Sequence, residues 1–212
     1  MADIKKPKIQ FITFEGGEGS GKTTVIEKIK KDLEKLNFTV LKTREPGGSK
    51  ISEQIRDVIL NVENTNMDYM TEALLYAASR RQHLEEIIRP AIKAGKVVIC
   101  DRYIDSSLAY QGYARGLGVD EVYNLNLVAT NGFLPEVTIF IDLDPEVGLE
   151  RIKNNQREVD RLDLEKINFH EKVREGYLML ASKFPNRFIV VNGNQTREQV
   201  YEDVKKIILA RV

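Results

Sequence analysis

Residues 14–24 read FEGGEGSGKTT. Within them Gly16-Gly17-Glu18-Gly19-Ser20-Gly21-Lys22-Thr23 satisfies the complete pattern G-x-x-x-x-G-K-[ST]. The residues just ahead, 9–14, are β-branched and aromatic and predict a strand. From Thr24 onward Val25, Ile26, Ile29, Leu33 and Leu36 recur at helical spacing along one broad face. A glycine loop between a strand and an amphipathic helix has a physical use. Glycines let the backbone turn so that its N–H groups face inward, and the helix start adds a positive dipole end. Lys22 supplies a mobile charge for outer phosphates, and the Thr23 hydroxyl suits magnesium. Gly16, Gly17, Gly19, Ser20, Gly21, Lys22, Thr23 and Thr24 are therefore the candidate residues for binding a nucleoside triphosphate.

Working outward, strands are expected at residues 38–42, 97–100, 137–143 and 188–191. Helices are expected at residues 51–60, 119–129, 169–184 and 198–209, with another opened by Pro145. Thr71 is expected to cap a helix carrying Ala73, Leu74, Ala77 and Ala78, with a break or a new first turn near Pro90 and a stop at Gly95. Residues 103–118 are mixed in character and read partly as a ligand-facing turn. Strands alternating with helices make the class α/β, doubly wound, with a parallel sheet. Asp101 follows the apolar run 97–100, and ligands of such sheets bind beyond the carboxyl ends of the strands. It either serves magnesium with Thr23 or caps a helix. Glu15, just ahead of the loop, serves either the metal or the loop geometry. The turn at residues 192–195 is the expected wall of an adenine pocket.

The 212 residues fit one domain, 1–212. Lys plus Arg is 32 and Asp plus Glu is 32, so no basic excess points to a nucleic-acid partner. Cys100 is the single cysteine and the histidines are two, which disfavours a disulfide within the chain or a zinc centre. Cys100 reads as buried filler. No apolar stretch is long enough to span a membrane, and a cytoplasmic protein is expected. Residues 153–163 are highly charged with no lasting apolar face, as a mobile flap should be.

Further motifs are TREPGG at 43–48, TEALLYAASRRQH at 71–83, DRYIDSSLAYQG at 101–112 and the pair Asp160-Arg161. With the glycine loop they make the chain resemble the thymidylate kinase family over nearly its whole length. The resemblance implies a P-loop NTPase three-layer α/β fold: a five-stranded parallel sheet, helices on both faces and a short lid at about 153–163. It implies transfer of the terminal phosphoryl group of ATP to thymidylate with magnesium, in a homodimer. By the same resemblance Glu18 meets the acceptor's 3′-hydroxyl. Arg44 and Arg102 lie near the phosphates, and Arg56 and Arg80 hold the acceptor's phosphate and base side. Tyr76 stacks on the base, Ser107 and Gln111 contact it, and Tyr110 crowds the 2′ position. Gly19 and Ser20 follow Glu18, which resembles the bacterial-type pattern in which the lid supplies the cation. Arg157 is the expected lid arginine, with Arg161, Lys153 and Arg151 nearby.

Three other classes compete. A GTPase would show DxxG and NKxD motifs, and neither occurs. A nucleic-acid-dependent ATPase is disfavoured by the zero net charge. A kinase for another nucleoside or monophosphate is separated by Tyr76, Tyr110 and Gln111, which speak to base and sugar.

Overall fold

The computed structural model describes residues 7–154, 161–162 and 164–212. Five strands form one parallel sheet: β1 (Phe11–Glu15), β2 (Val40–Arg44), β3 (Val97–Asp101), β4 (Val137–Asp142) and β5 (Phe188–Asn192). Their order is β2-β3-β1-β4-β5. The β1–β2 crossover thus runs to one side of β1 and the β3–β4 crossover to the other, so the turn after β1 lies where ligands of such sheets bind.

Side chains alternate across the sheet and divide the core in two. Ile12, Phe14, Ile99 and Ile139 pack under α1 (Lys22–Lys35), joined by Val200 and Val204 of the closing helix at residues 197–209. Phe11, Val98, Cys100 and Phe140 face the opposite layer with Leu84, Leu108 and Tyr177. The expected doubly wound α/β architecture is what the strands form.

β5 runs one residue past its apolar run, to Asn192, and three other strands run one or two past theirs. They end on Glu15, Arg44 and Asp101, and the ladder continues to Arg44 opposite Asp101. Hydropathy stops at the last buried apolar residue, whereas pairing continues to the charged residues at the sheet's carboxyl edge.

Between the strands lie α2 (Lys50–Leu60) and α3 (Tyr69–His83). Thr71 is not the cap of α3. Asp68 is, its carboxylate accepting from the Thr71 N–H, so the helix begins three residues earlier than expected. Pro90 falls in a new first turn, as expected: a π-helical turn, Leu84–Ile88, leads into α4 (Arg89–Lys93), whose first turn holds the proline. Leu36 lies past the end of α1 and is exposed rather than part of its buried face.

Residues 103–118 are more helical than expected. A turn of helix, α5 (Ile104–Ser107), passes into a π-helical segment, Leu108–Ala114. Widening of this kind often marks functional sites. The chain continues through α6 (Val119–Thr130), α7 (Pro145–Asn154), α8 (Ile167–Lys183) and α9 (Arg197–Leu209). Thr196 and Gln199 open α9 with a reciprocal capping box.

Helix α7 approaches the glycine loop very closely. A Cβ on Gly148 would overlap the carbonyl oxygen of Glu18, and one on Gly19 would overlap the Gly148 carbonyl. Arg151 adds a hydrogen bond of 3.3 Å to the Gly19 oxygen. Two effects therefore oppose each other in Gly148→Ala. Helix propensity favours alanine by about 1 kcal/mol, and overpacking against rigid backbone costs about 1–3 kcal/mol. The close approach should win, so the variant should be less stable in chemical denaturation. Equal or greater stability would contradict the packing.

Candidate active site

A cavity of about 390 Å³ opens at the carboxyl ends of β1, β2 and β3. The glycine loop forms one side of it. Gly16, at φ +153°, turns the chain where a Cβ would lie 2.8 Å from the Ile141 oxygen. Lys22 is buried and reaches back over the loop. Its ammonium donates to the carbonyls of Gly16 (2.9 Å) and Gly17 (3.0 Å) and to Ser20 Oγ (3.2 Å). Glu18, Gly19, Ser20, Gly21, Thr23 and Thr24 line the cavity, whereas Gly16 and Gly17 stand behind it as acceptors for Lys22.

Thr23 Oγ1 donates to Asp101 Oδ2 at 3.4 Å. A hydroxyl and a carboxylate facing one another beside a phosphate cradle are hard oxygen donors of the kind magnesium prefers. Asp101 does not cap the following helix, whose N-cap is Tyr103. The hydrogen-bond partners of Glu15 lie in the segment after β3 and in α8, not in the glycine loop. Fully buried, Glu15 accepts from the Tyr103 N–H (2.8 Å), Ser106 Oγ (2.5 Å) and Tyr177 Oη (2.8 Å), and it does not line the cavity. Burial, then the nearby charge of Asp105, pushes its carboxyl pKa up.

Arg102 enters from a backbone at φ +68°, a region that side chains rarely adopt. Its guanidinium donates to Glu18 Oε1 at 2.6 Å, to Tyr177 Oη at 3.2 Å and to Ser106 Oγ at 3.3 Å. It lies 5.2 Å from the ring centroid of Tyr110, whose hydroxyl also reaches Glu18 at 3.3 Å. Arg44 and Arg56 converge on the Pro46 carbonyl, at 2.7 and 3.0 Å.

On the far side, α3 presents Glu72, Tyr76 and Arg80 at successive i, i+4 positions, all buried. Arg80 donates to Glu45 Oε2 (2.8 Å), Ser107 Oγ (3.0 Å), the Tyr103 carbonyl (2.9 Å) and Asn126 Oδ1. Arg81 is exposed and pairs with Glu85, so of the two adjacent arginines Arg80 alone faces inward. Tyr76, Ser107, Tyr110 and Gln111 complete the lining of this side.

Arg157 and Asp160 lie outside the described residues. Arg161 is buried against Glu72 and the Ile59 carbonyl, away from the phosphate cradle. The 192–195 turn does not line this cavity. Glu45, Ser106 and Leu162 do line it, though they carried no separate sequence signal. Cys100 is fully buried and its thiol pKa is pushed up by burial, then by Glu45, which suits a packing role. Glu45 and His83 come near Cys100, but Glu45 Oε1 is already bonded to His83 Nδ1 at 2.9 Å and its other oxygen to Arg80.

Comparison with known proteins matches this arrangement. The family model described as thymidylate kinase matches residues 14–204. The chain belongs to the thymidylate kinase family. The thymidylate kinase of Clostridium novyi (strain NT) is 63% identical over 196 residues, covering 92% of this chain and 96% of that protein. That of Geobacillus sp. (strain WCH70) is 57% identical over 195 residues, covering 92% and 93%. The crystal structure of thymidylate kinase from Ehrlichia chaffeensis superposes with a TM-score of 0.76 at 33% identity, covering 94% of this chain and 98% of that one.

The desolvated ammonium of Lys22 has a measurable consequence. Burial first, then the like charge of Arg102, lowers its pKa to about 8. An unfolded lysine titrates near pH 10.4, so between these values the unfolded chain binds more protons. Stability therefore rises with pH across that window. The stability of the wild type minus that of Lys22→Met should shift toward the wild type by roughly 2 kcal/mol between about pH 8 and pH 10. Chemical denaturation at each pH reads it, and a constant difference would contradict the buried charge.

Proposed function

We propose that the chain, as a single domain, phosphorylates thymidylate to thymidine diphosphate with ATP and magnesium, using the residues that line this cavity. The observation that carries the reading is one cavity lined by Lys22 on one side and by Tyr76, Arg80 and Gln111 on the other. Phosphoryl transfer needs positioning and charge neutralisation more than covalent help. The nucleophile is the acceptor's own phosphate oxygen, anionic near neutral pH, so no general base is needed.

The glycine loop and Lys22 hold the donor phosphates, with Ser20 and Thr24 at the loop's exit. Thr23 and Asp101 hold magnesium, which supplies further charge neutralisation when bound. Arg44, Arg56 and Arg102 face the acceptor phosphate and the transferring group, where planar guanidinia grip two oxygens at once. Glu18 meets the 3′-hydroxyl and keeps Arg102 oriented meanwhile. Tyr76 stacks on the base, Gln111 and Ser107 contact its edge, Arg80 fixes Ser107, and the Tyr110 ring excludes a 2′-hydroxyl. Arg157 delivers the lid charge.

We further propose a cytoplasmic homodimer. Ile51 and Val58 on α2, Leu74 on α3 and Val128 on α6 are exposed apolar residues on mutually packed helices. Such a surface suits a second copy of the chain.

Lys22→Ala should lower turnover by at least about 100-fold with little change in thymidylate binding, because the charge acts mainly in the transition state. A coupled ADP assay with direct binding reads both, and wild-type turnover would refute the assignment. Arg157→Ala should likewise lower kcat while leaving both dissociation constants and stability nearly unchanged. Arg161→Ala should instead lower stability, since it removes the nearest cationic partner of the buried Glu72 carboxylate. If the two variants exchange these effects in side-by-side kinetics and thermal melts, the lid assignment is wrong.

A further inference from the structure

Glu72 is fully buried and does not line the cavity, yet it binds Gln111, which does, together with Arg115 and Arg161 behind the wall. Its Oε1 accepts from Gln111 Nε2 at 2.8 Å and from Arg115 Nε at 3.4 Å. Its Oε2 accepts from the Arg161 guanidinium and from Arg115 at 3.4 Å. Arg161 Nε also donates to the Ile59 carbonyl at 2.8 Å, and its backbone N–H to Leu60 at 3.2 Å. The next residue, Leu162, lines the cavity together with Leu60. Arg115 sits between the rings of Tyr69 and Phe169, 4.7 and 4.4 Å from their centroids, and pairs with Glu165 at 2.7 Å. Two guanidinia thus face one buried carboxylate, Glu72, and one partly exposed carboxylate, Glu165.

The chemistry of the carboxylate makes this more than scaffolding. A carboxylate can only accept, so it takes the nitrogen of the Gln111 amide, and the oxygen of that cavity-lining amide is not drawn to it. An amide oxygen at the edge of a base pairs with an N–H donor. Thymine and uracil carry a hydrogen on N3, and cytosine does not. The same carboxylate seats Arg161 and hence Leu162 against α2.

We propose that Glu72 is a positioning residue that sets the donor–acceptor sense of Gln111 toward the base and, through Arg161, couples it to the seating of Leu162 on the cavity wall. This rests on the reading above in which Gln111 meets the base. Glu72 acts without touching the substrate. It also sits one helical turn before Tyr76, so base stacking and edge recognition are fixed from one face of α3.

Glu72→Gln tests it, because an amide at residue 72 either accepts or donates and no longer forces Gln111. The readout is the ratio of kcat/KM for thymidylate to that for deoxycytidylate, which does not depend on the fraction of active enzyme. The ratio should fall at least about tenfold and the thymidylate KM should rise, with the ATP KM within about twofold of the wild type. An unchanged ratio in the folded variant would overturn the proposal. Should Glu72→Gln fail to fold, Arg161→Met should raise the thymidylate KM at least about fivefold and Arg161→Lys should restore most of it. An unchanged KM in Arg161→Met would then overturn it. Gln111→Met separates the two layers. A ratio it leaves unmoved removes Gln111 from the base contact and the proposal with it. A ratio moved by Gln111→Met but not by Glu72→Gln removes Glu72 alone.

Discussion

Buried charged groups, and the need to pair each one away from water, govern the rest of this molecule. Glu15, Glu45, Glu72, Arg80 and Asp105 are all buried. An unpaired charge there would cost several kcal/mol. Each is therefore bound to partners from distant parts of the chain. Glu15 takes Tyr103, Ser106 and Tyr177, and Asp105 takes both terminal nitrogens of Arg187 at 2.6 and 2.8 Å. These pairs fix where Arg102, Ser107 and Gln111 stand, and those residues shape the acceptor side of the cavity.

Preorganisation of this kind suits phosphoryl transfer, where the protein's contribution is fixed charge in the right place. Arg102 is the clearest case. It emerges directly from β3 in a strained backbone conformation and is held by Glu18 from the glycine loop and by Tyr177 from α8. Helix α7 is pressed against the same loop through Gly148. Donor side, acceptor side and the helix leading toward residue 155 thus meet at the tip of one loop.

Much of this was legible in the sequence. The glycine loop, its flanking strand and helix, and the apolar strands follow from periodicity and glycine spacing. The spacing of Tyr76 and Arg80 correctly selected Arg80 over Arg81 as the inward arginine. What escaped was polar and long-range. Strand ends at Glu15, Arg44 and Asp101 were missed because pairing outlasts hydropathy. The helical character of 104–114 was hidden by serine, glycine and tyrosine, which tertiary packing overrides. Glu72 carried no signal, since a glutamate in the first turn of a helix ordinarily faces water near the positive dipole end. Only its partners, 39 and 89 residues away, reveal it.

The most direct measurement is ADP release across a panel of acceptors: the thymidine, deoxyuridine, deoxycytidine, guanosine and adenosine monophosphates. Thymidylate should give the highest kcat/KM. Its advantage over deoxyuridylate should be about 10- to 200-fold, the worth of one methyl group in a fitted pocket. Equal values for thymidylate and deoxyuridylate, or a purine monophosphate as the best acceptor, would contradict the assignment of this cavity.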